Sequence, residues 1–158
     1  MRLTSTAFKD GQSIPKRHTE DGQNLSPPLA WSDVPAGVQE FAILAEDPDA
    51  PRAEPWVHWL IYGLAGDLRE LPEGLPRATQ IHDPVVATQG VNSWPQQNDG
   101  YRGPSPPRGS GRHRYYFRIY ALDRAMNLAP RLAKQALLRA IDSTKVLAHA
   151  ELMGIYQR

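Results

Sequence analysis

The chain has 158 residues, about one domain's worth and enough to bury a single core. Its 18 Lys and Arg against 17 Asp and Glu leave a formal net charge of +1, which argues against a general nucleic-acid or membrane-surface role. It has no cysteine, which excludes a disulfide scaffold, a thiolate zinc site and a cysteine nucleophile.

The first residues, MRLTSTAFKDGQSIPKRH, contain no apolar run of the secretory kind. The longest nearly uncharged apolar stretch, Trp56 to Ala65, is about half the length that a bilayer-spanning helix needs. A cytoplasmic protein with one domain over residues 1–158 and no transmembrane segment is therefore expected. The 12 Gly and 15 Pro are spread through residues 11 to 111 and almost disappear from 112 to 153, so long helices are expected only in the last third. Charge divides in the same way. Residues 1–100 carry 7 basic and 14 acidic side chains, and residues 101–158 carry 11 and 3. A fold that pairs its two halves accounts for this asymmetry as readily as a basic binding face does.

In chain order, Phe41–Asp47 reads as a strand apolar on both faces. Val57–Gly63 reads as a second, rich in aromatic and branched residues. Arg114–Leu122 is the clearest strand, because Tyr115, Phe117, Ile119 and Ala121 alternate with Arg114, Tyr116, Arg118 and Tyr120. The segments 10–35, 47–56, 66–84 and 88–112 have turn chemistry, and loops of that length are uncommon unless they bind something. Pro130–Ile141 reads as a helix with Leu132, Ala136, Leu137, Ala140 and Ile141 on one face. Asp142 or Ser143 caps an expected second short helix running through His149, and Glu151–Tyr156 is read as a last strand.

Period-2 geometry puts Asp47 on the face of Phe41, Ile43 and Ala45. It puts His58 with Leu60, Tyr62 and Leu64, and His113 with Tyr115, Phe117 and Ile119. Each row is apolar and ends in an ionisable group, so converging strand ends would gather Asp47, His58 and His113, with Tyr115 behind them. A carboxylate beside two imidazoles can hold a metal (Asp49 being a further ligand), can orient a histidine for acid–base work, or can keep an imidazolium ready for an anionic oxygen. There is no His-x-x-x-His pair and no Gly-x-Ser-x-Gly elbow, so no nucleophile is evident. The segment Tyr101–Gly111 packs three prolines and three glycines ahead of His113. Its backbone N–H groups and a hydroxyl, Ser105 or Ser110, suit an anion receptor.

These residues also carry a resemblance. Asp47-Pro-Asp-Ala-Pro51, Trp56-Val-His-Trp59, Gly103-Pro-Ser-Pro-Pro107 and Gly111-Arg-His-Arg-Tyr115 occur in that order. With Asn24–Trp31, Val34–Gly37 and Ala150–Tyr156, they resemble the phosphatidylethanolamine-binding protein family, most closely its bacterial Raf kinase inhibitor-like branch. The resemblance implies a mainly β, single-domain antiparallel sandwich with long loops and one or two short helices near the C-terminus. It also implies a small anion pocket lined by Asp47, Asp49, Ala50, Pro51, His58, Gly103, Ser105, Pro106, Pro107, His113 and Tyr115. The function so implied is non-catalytic binding of phosphate-like anions or phosphorylated head groups, with no cofactor. The kinase regulation of the animal branch is not carried over, and a protein partner, kinase or protease, is an expectation that rests on the basic C-terminal half and the loop rim. The alternative is a small-molecule hydrolase using His58 or His113 as general base. Ala50–Pro51 and Glu54–Pro55 are candidate cis bonds. Ser105 stands where the animal branch has glycine and bacterial relatives often have cysteine, and Trp94-Pro95 stands where relatives have a glycine-rich turn. The chain stops at Arg158, so the extra C-terminal helix of the animal branch is not expected. A homodimer through the Trp- and Pro-rich loops near the pocket is also expected.

Overall fold

A computed structural model describes residues 1–158 throughout. Ten strands and one α-helix follow in chain order, with a single 3-10 turn (Lys16–His18) between the second and third strands: β1 (Arg2–Thr4), β2 (Gln12–Ser13), β3 (Leu29–Ser32), β4 (Glu40–Asp47), β5 (Trp56–Ala65), β6 (Glu70–Leu71), β7 (Gln80–Ile81), β8 (Ala87–Gln89), β9 (His113–Leu122), α1 (Lys134–Asp142) and β10 (Val146–Tyr156). The large sheet runs β2-β10-β9-β4-β5-β8-β7 and the small one β1-β3-β6. Pairing is antiparallel except between β10 and β2. No helix is long and apolar enough to cross a membrane.

The chain forms three layers because β4 and β5 are apolar on both faces and β9 on one. One face, with Phe41, Ile43, Trp59, Phe117 and Ile119, packs on Leu3, Leu29, Trp31 and Leu71 of the small sheet. The other, with Ala42, Leu44, Leu60 and Tyr62, is covered by Leu137 and Ile141 of α1. Glu46 fastens helix to sheet from within, pairing with both Arg118 and Lys134. The charge asymmetry is used in this way throughout. Arg102, Arg114, Arg118, Arg131, Lys134 and Arg158 each pair with an acid of the first hundred residues.

Several expectations are corrected. The helix begins at Lys134, not Pro130. Arg131 takes a φ of 65°, its N–H donates to the Gln89 carbonyl, and the Leu132 carbonyl accepts from Val91 N–H, so this stretch lies along the chain after β8. No second helix follows. Val146–Ala150 has a partner waiting in β9, with Val146 opposite Leu122 and Ala150 opposite Ile119, and pairing overrides the local cap signal. The cis bond is Asp83–Pro84; Ala50–Pro51 and Glu54–Pro55 are trans.

Candidate functional site

The register of β5 shapes the site. Ala45 pairs with Trp59 but Glu46 pairs with Val57, so His58 is an extra residue bulged out of the ladder. A second shift lies near Gly63, whose φ is 70° and whose N–H donates to Glu40 at 3.0 Å. The single row expected for His58, Leu60, Tyr62 and Leu64 is thereby broken. Leu60 and Tyr62 face the helix, Leu64 faces the small sheet, and the His58 ring packs edge-on to Tyr115 with centroids 5.1 Å apart. The bulge is what carries His58 to the side of Asp47 and His113.

Asp47 ends β4 and His113 opens the neighbouring β9, and the antiparallel pairing brings them together. His113 Nδ1 lies 2.7 Å from Asp47 Oδ2, and both side chains are buried. The other carboxylate oxygen accepts the Asp49 N–H at 2.8 Å, which fixes the rotamer. On the far side of the ring, His113 Nε2 is 2.9 Å from Ser110 Oγ, which is 2.7 Å from the Pro107 carbonyl. If the single serine proton goes to that carbonyl, Nε2 must donate and the ring is an imidazolium. If the proton turns to Nε2, the ring is neutral. The two states differ by one proton on Nε2, and the hydroxyl turns to match.

His58 is different. Its Nδ1 donates to the Arg102 carbonyl at 2.5 Å, while the Arg102 N–H donates to the His58 carbonyl at 3.0 Å. Trp94 packs edge-on against the opposite side at 5.0 Å and is itself covered by the Arg102 guanidinium at 4.7 Å. Burial pushes the His58 pKa down to about 4, against smaller raising effects from the Arg102 carbonyl, Asp47 and Glu20. His58 is therefore neutral at pH 7, and the expectation of a raised pKa for this ring beside Asp47 is not met.

A cavity of about 220 Å³ opens between these groups. Of the expected residues, Asp47, Ala50, Pro51, His58, Ser105, Pro106, Pro107, His113 and Tyr115 line it. Two do not. Asp49 is turned away by Arg114, whose Nε and Nη2 grip the two carboxylate oxygens at 2.9 and 2.7 Å. Gly103 packs against backbone, where a Cβ would sit 2.2 Å from the His18 carbonyl oxygen. Three residues missed from the sequence also line the cavity: Arg52, Trp56 and Trp94. Trp56, two residues before His58, could have been found from the motif itself. Arg52 and Trp94 gave no periodic signal. No group of three or more His, Asp or Glu side chains is arranged to hold a metal, since Asp49 is committed to Arg114 and His58 Nδ1 to a carbonyl.

Tyr115 supplies the most informative atom. Its hydroxyl is buried with no hydrogen-bond partner, and the residue lines the cavity. Burial, and then the nearby Asp47 charge, raise its pKa, so it stays protonated and can donate.

The family model for the phosphatidylethanolamine-binding protein matches residues 4–157. The chain belongs to this family. A UPF0098 protein of Methanothermobacter thermautotrophicus is 44% identical over 158 residues, covering 100% of this chain and 99% of its own. Among solved structures, a phosphatidylethanolamine-binding protein homolog from Chlamydia trachomatis matches with a TM-score of 0.87 at 38% identity, covering 99% of this chain and 97% of its own. YbcL of Escherichia coli matches with a TM-score of 0.88 at 29% identity, covering 99% and 98%. Membership in this family makes a binding protein the coarse description of the chain.

Proposed function

We propose that the cavity beside Asp47 and His113 is a receptor for a phosphate-like anion, either free or carried as a phosphorylated head group. The observation that carries this reading is that Tyr115, whose buried hydroxyl has no hydrogen-bond partner, lines the cavity beside Asp47 and His113. Buried donors are nearly always satisfied, and an oxygen acceptor placed in the cavity would satisfy this one. Arg52 adds a cation at the lining, and the Ser105 hydroxyl is a further donor. A bound anion would favour proton uptake by His58, whose ring borders the cavity. The cavity volume suits a head group rather than a drug-sized ligand, so the rest of a larger ligand would rest on Trp56 and Trp94.

Calorimetric titration with inorganic phosphate and with O-phosphoethanolamine tests the reading. Wild type is expected to bind at least one of them, more tightly as pH falls, and Tyr115→Phe to bind more weakly. Equal affinity in wild type, Tyr115→Phe and His113→Ala removes the cavity from the account. Tyr115→Phe keeps the test valid should His113→Ala fail to fold. Phosphate without the ethanolamine distinguishes a free anion from a head group.

A further inference from the structure

Ser110, His113 and Asp47 form a continuous chain of hydrogen-bond contacts. Ser110 Oγ lies 2.9 Å from His113 Nε2, and His113 Nδ1 lies 2.7 Å from Asp47 Oδ2. Hydroxyl to Nε2, and Nδ1 to a buried carboxylate, is the arrangement by which an imidazole removes the proton of an attacking serine while the acid holds the ring. Exposure is divided as that chemistry requires. The His113 and Asp47 side chains are 4% and 5% accessible, whereas Ser110 is open to solvent. Ser110 stands between Gly109 and Gly111, with φ of 79° and 83°, and a Cβ on either would meet nothing within 4 Å. These two left-handed residues turn the chain sharply on both sides of the hydroxyl and leave it unobstructed. The Ser110 N–H donates to the Pro107 carbonyl at 3.1 Å and closes the turn.

We infer that Ser110 is a nucleophile activated by His113 and Asp47, giving this protein an acyl-transfer activity toward esters of small carboxylic acids. Ser110 Oγ forms a bond to the ester carbonyl carbon as its proton passes to His113 Nε2. The bond from that carbon to the alcohol oxygen breaks, and the departing alcohol takes the proton from Nε2. Water then adds to the acyl carbon, giving one proton to Nε2. The bond to Oγ breaks, Oγ recovers that proton, and the carboxylic acid leaves. No metal, oxidant or reductant enters the balance. Asp47 keeps the Nδ1 proton in place and stabilises the imidazolium that forms between transfers. Ser110 is open to solvent and is not part of the cavity lining, so a small acyl group reaches Oγ from the surface without entering the cavity. Sequence reading missed this nucleophile because Ser110 sits in a Gly-Ser-Gly turn before a strand, without the usual strand-to-helix elbow.

The inference shares the Asp47–His113 pair with the anion reading but does not need it, since acylation can proceed in a protein that binds no phosphate. The test uses the full chain with p-nitrophenyl acetate and, in parallel, a fluorophosphonate probe, followed by intact mass and peptide mapping. Wild type is expected to show a burst of nitrophenol and a single adduct on Ser110. Ser110→Ala, checked for an unchanged melting curve, is expected to lose the adduct and the burst and to turn over about 100-fold more slowly. Absence of any adduct in wild type, or an adduct that persists in Ser110→Ala, overturns the inference. A protein that binds phosphate yet takes no adduct overturns this inference alone and leaves the anion receptor standing.

Discussion

Acid should destabilise this protein through His58, and a single substitution isolates the effect. In the unfolded chain the ring titrates near its ordinary value of 6.5, and in the fold it titrates at about 4 because burial opposes the charge. Between those values the unfolded chain takes up a proton that the fold refuses, so protonation favours unfolding. Above pH 6.5 the site carries no penalty. Below it, stability falls by about 1.4 kcal/mol per pH unit until pH reaches about 4, a total of about 3 kcal/mol. His58→Gln removes the titration and leaves an N–H able to reach the Arg102 carbonyl. Urea unfolding of both proteins from pH 7.5 down to pH 4 separates the contribution, because every other side chain is common to the two proteins. With a slope of about 2 kcal/mol per M, the wild-type midpoint should fall by about 1.5 M more than that of the variant. Parallel pH profiles would show that the buried ring is not held neutral, and the account of how His58 sits among Trp94, Tyr115 and the Arg102 carbonyl would be wrong.

Tyr115→Phe should cost no stability, since it deletes a buried hydroxyl that has no partner; a thermal melt showing a loss of about 2 kcal/mol would mean that the hydroxyl is bonded after all. Gly103→Ala should destabilise by about 1–3 kcal/mol through backbone overlap at His18, read from urea midpoints, and a neutral result would contradict the packing found there. Asp49→Asn should shift stability by about 1 kcal/mol or less, because its arginine partner is half exposed, and should leave phosphate affinity within about twofold by calorimetry; a larger drop in affinity would return Asp49 to the cavity.

The strands at the centre of the fold were legible because their patterns are long and their burial is strong. Alternation in β9 and the apolar runs of β4 and β5 place three neighbouring strands of the large sheet correctly. The short strands β1, β2, β3 and β6 to β8 were not, since each has two to four residues and owes its conformation to a distant partner. Val146–Ala150 failed for the same reason: the cap-like Asp142 and Ser143 are local, but the strand that claims these residues lies two dozen positions away. At the site, row ends placed Asp47 and His113 at the limits of apolar rows, and only the antiparallel pairing of β4 with β9 brings the two together. The route by which His58 joins them was not legible, because a one-residue bulge depends on register and simple alternation cannot express it. Trp94 was invisible for a related reason, since its place against His58 is set by the Arg102 guanidinium above it.

The central claim is that the hollow beside the Asp47–His113 pair receives an oxyanion. Crystals soaked in selenate, with diffraction recorded at the selenium edge, locate that anion without reference to any model of binding. The account predicts an anomalous peak within hydrogen-bond distance of the Tyr115 hydroxyl, between the rings of His58 and His113. Anomalous peaks confined to surface arginines, with that position empty at a selenate concentration that fills them, would contradict it.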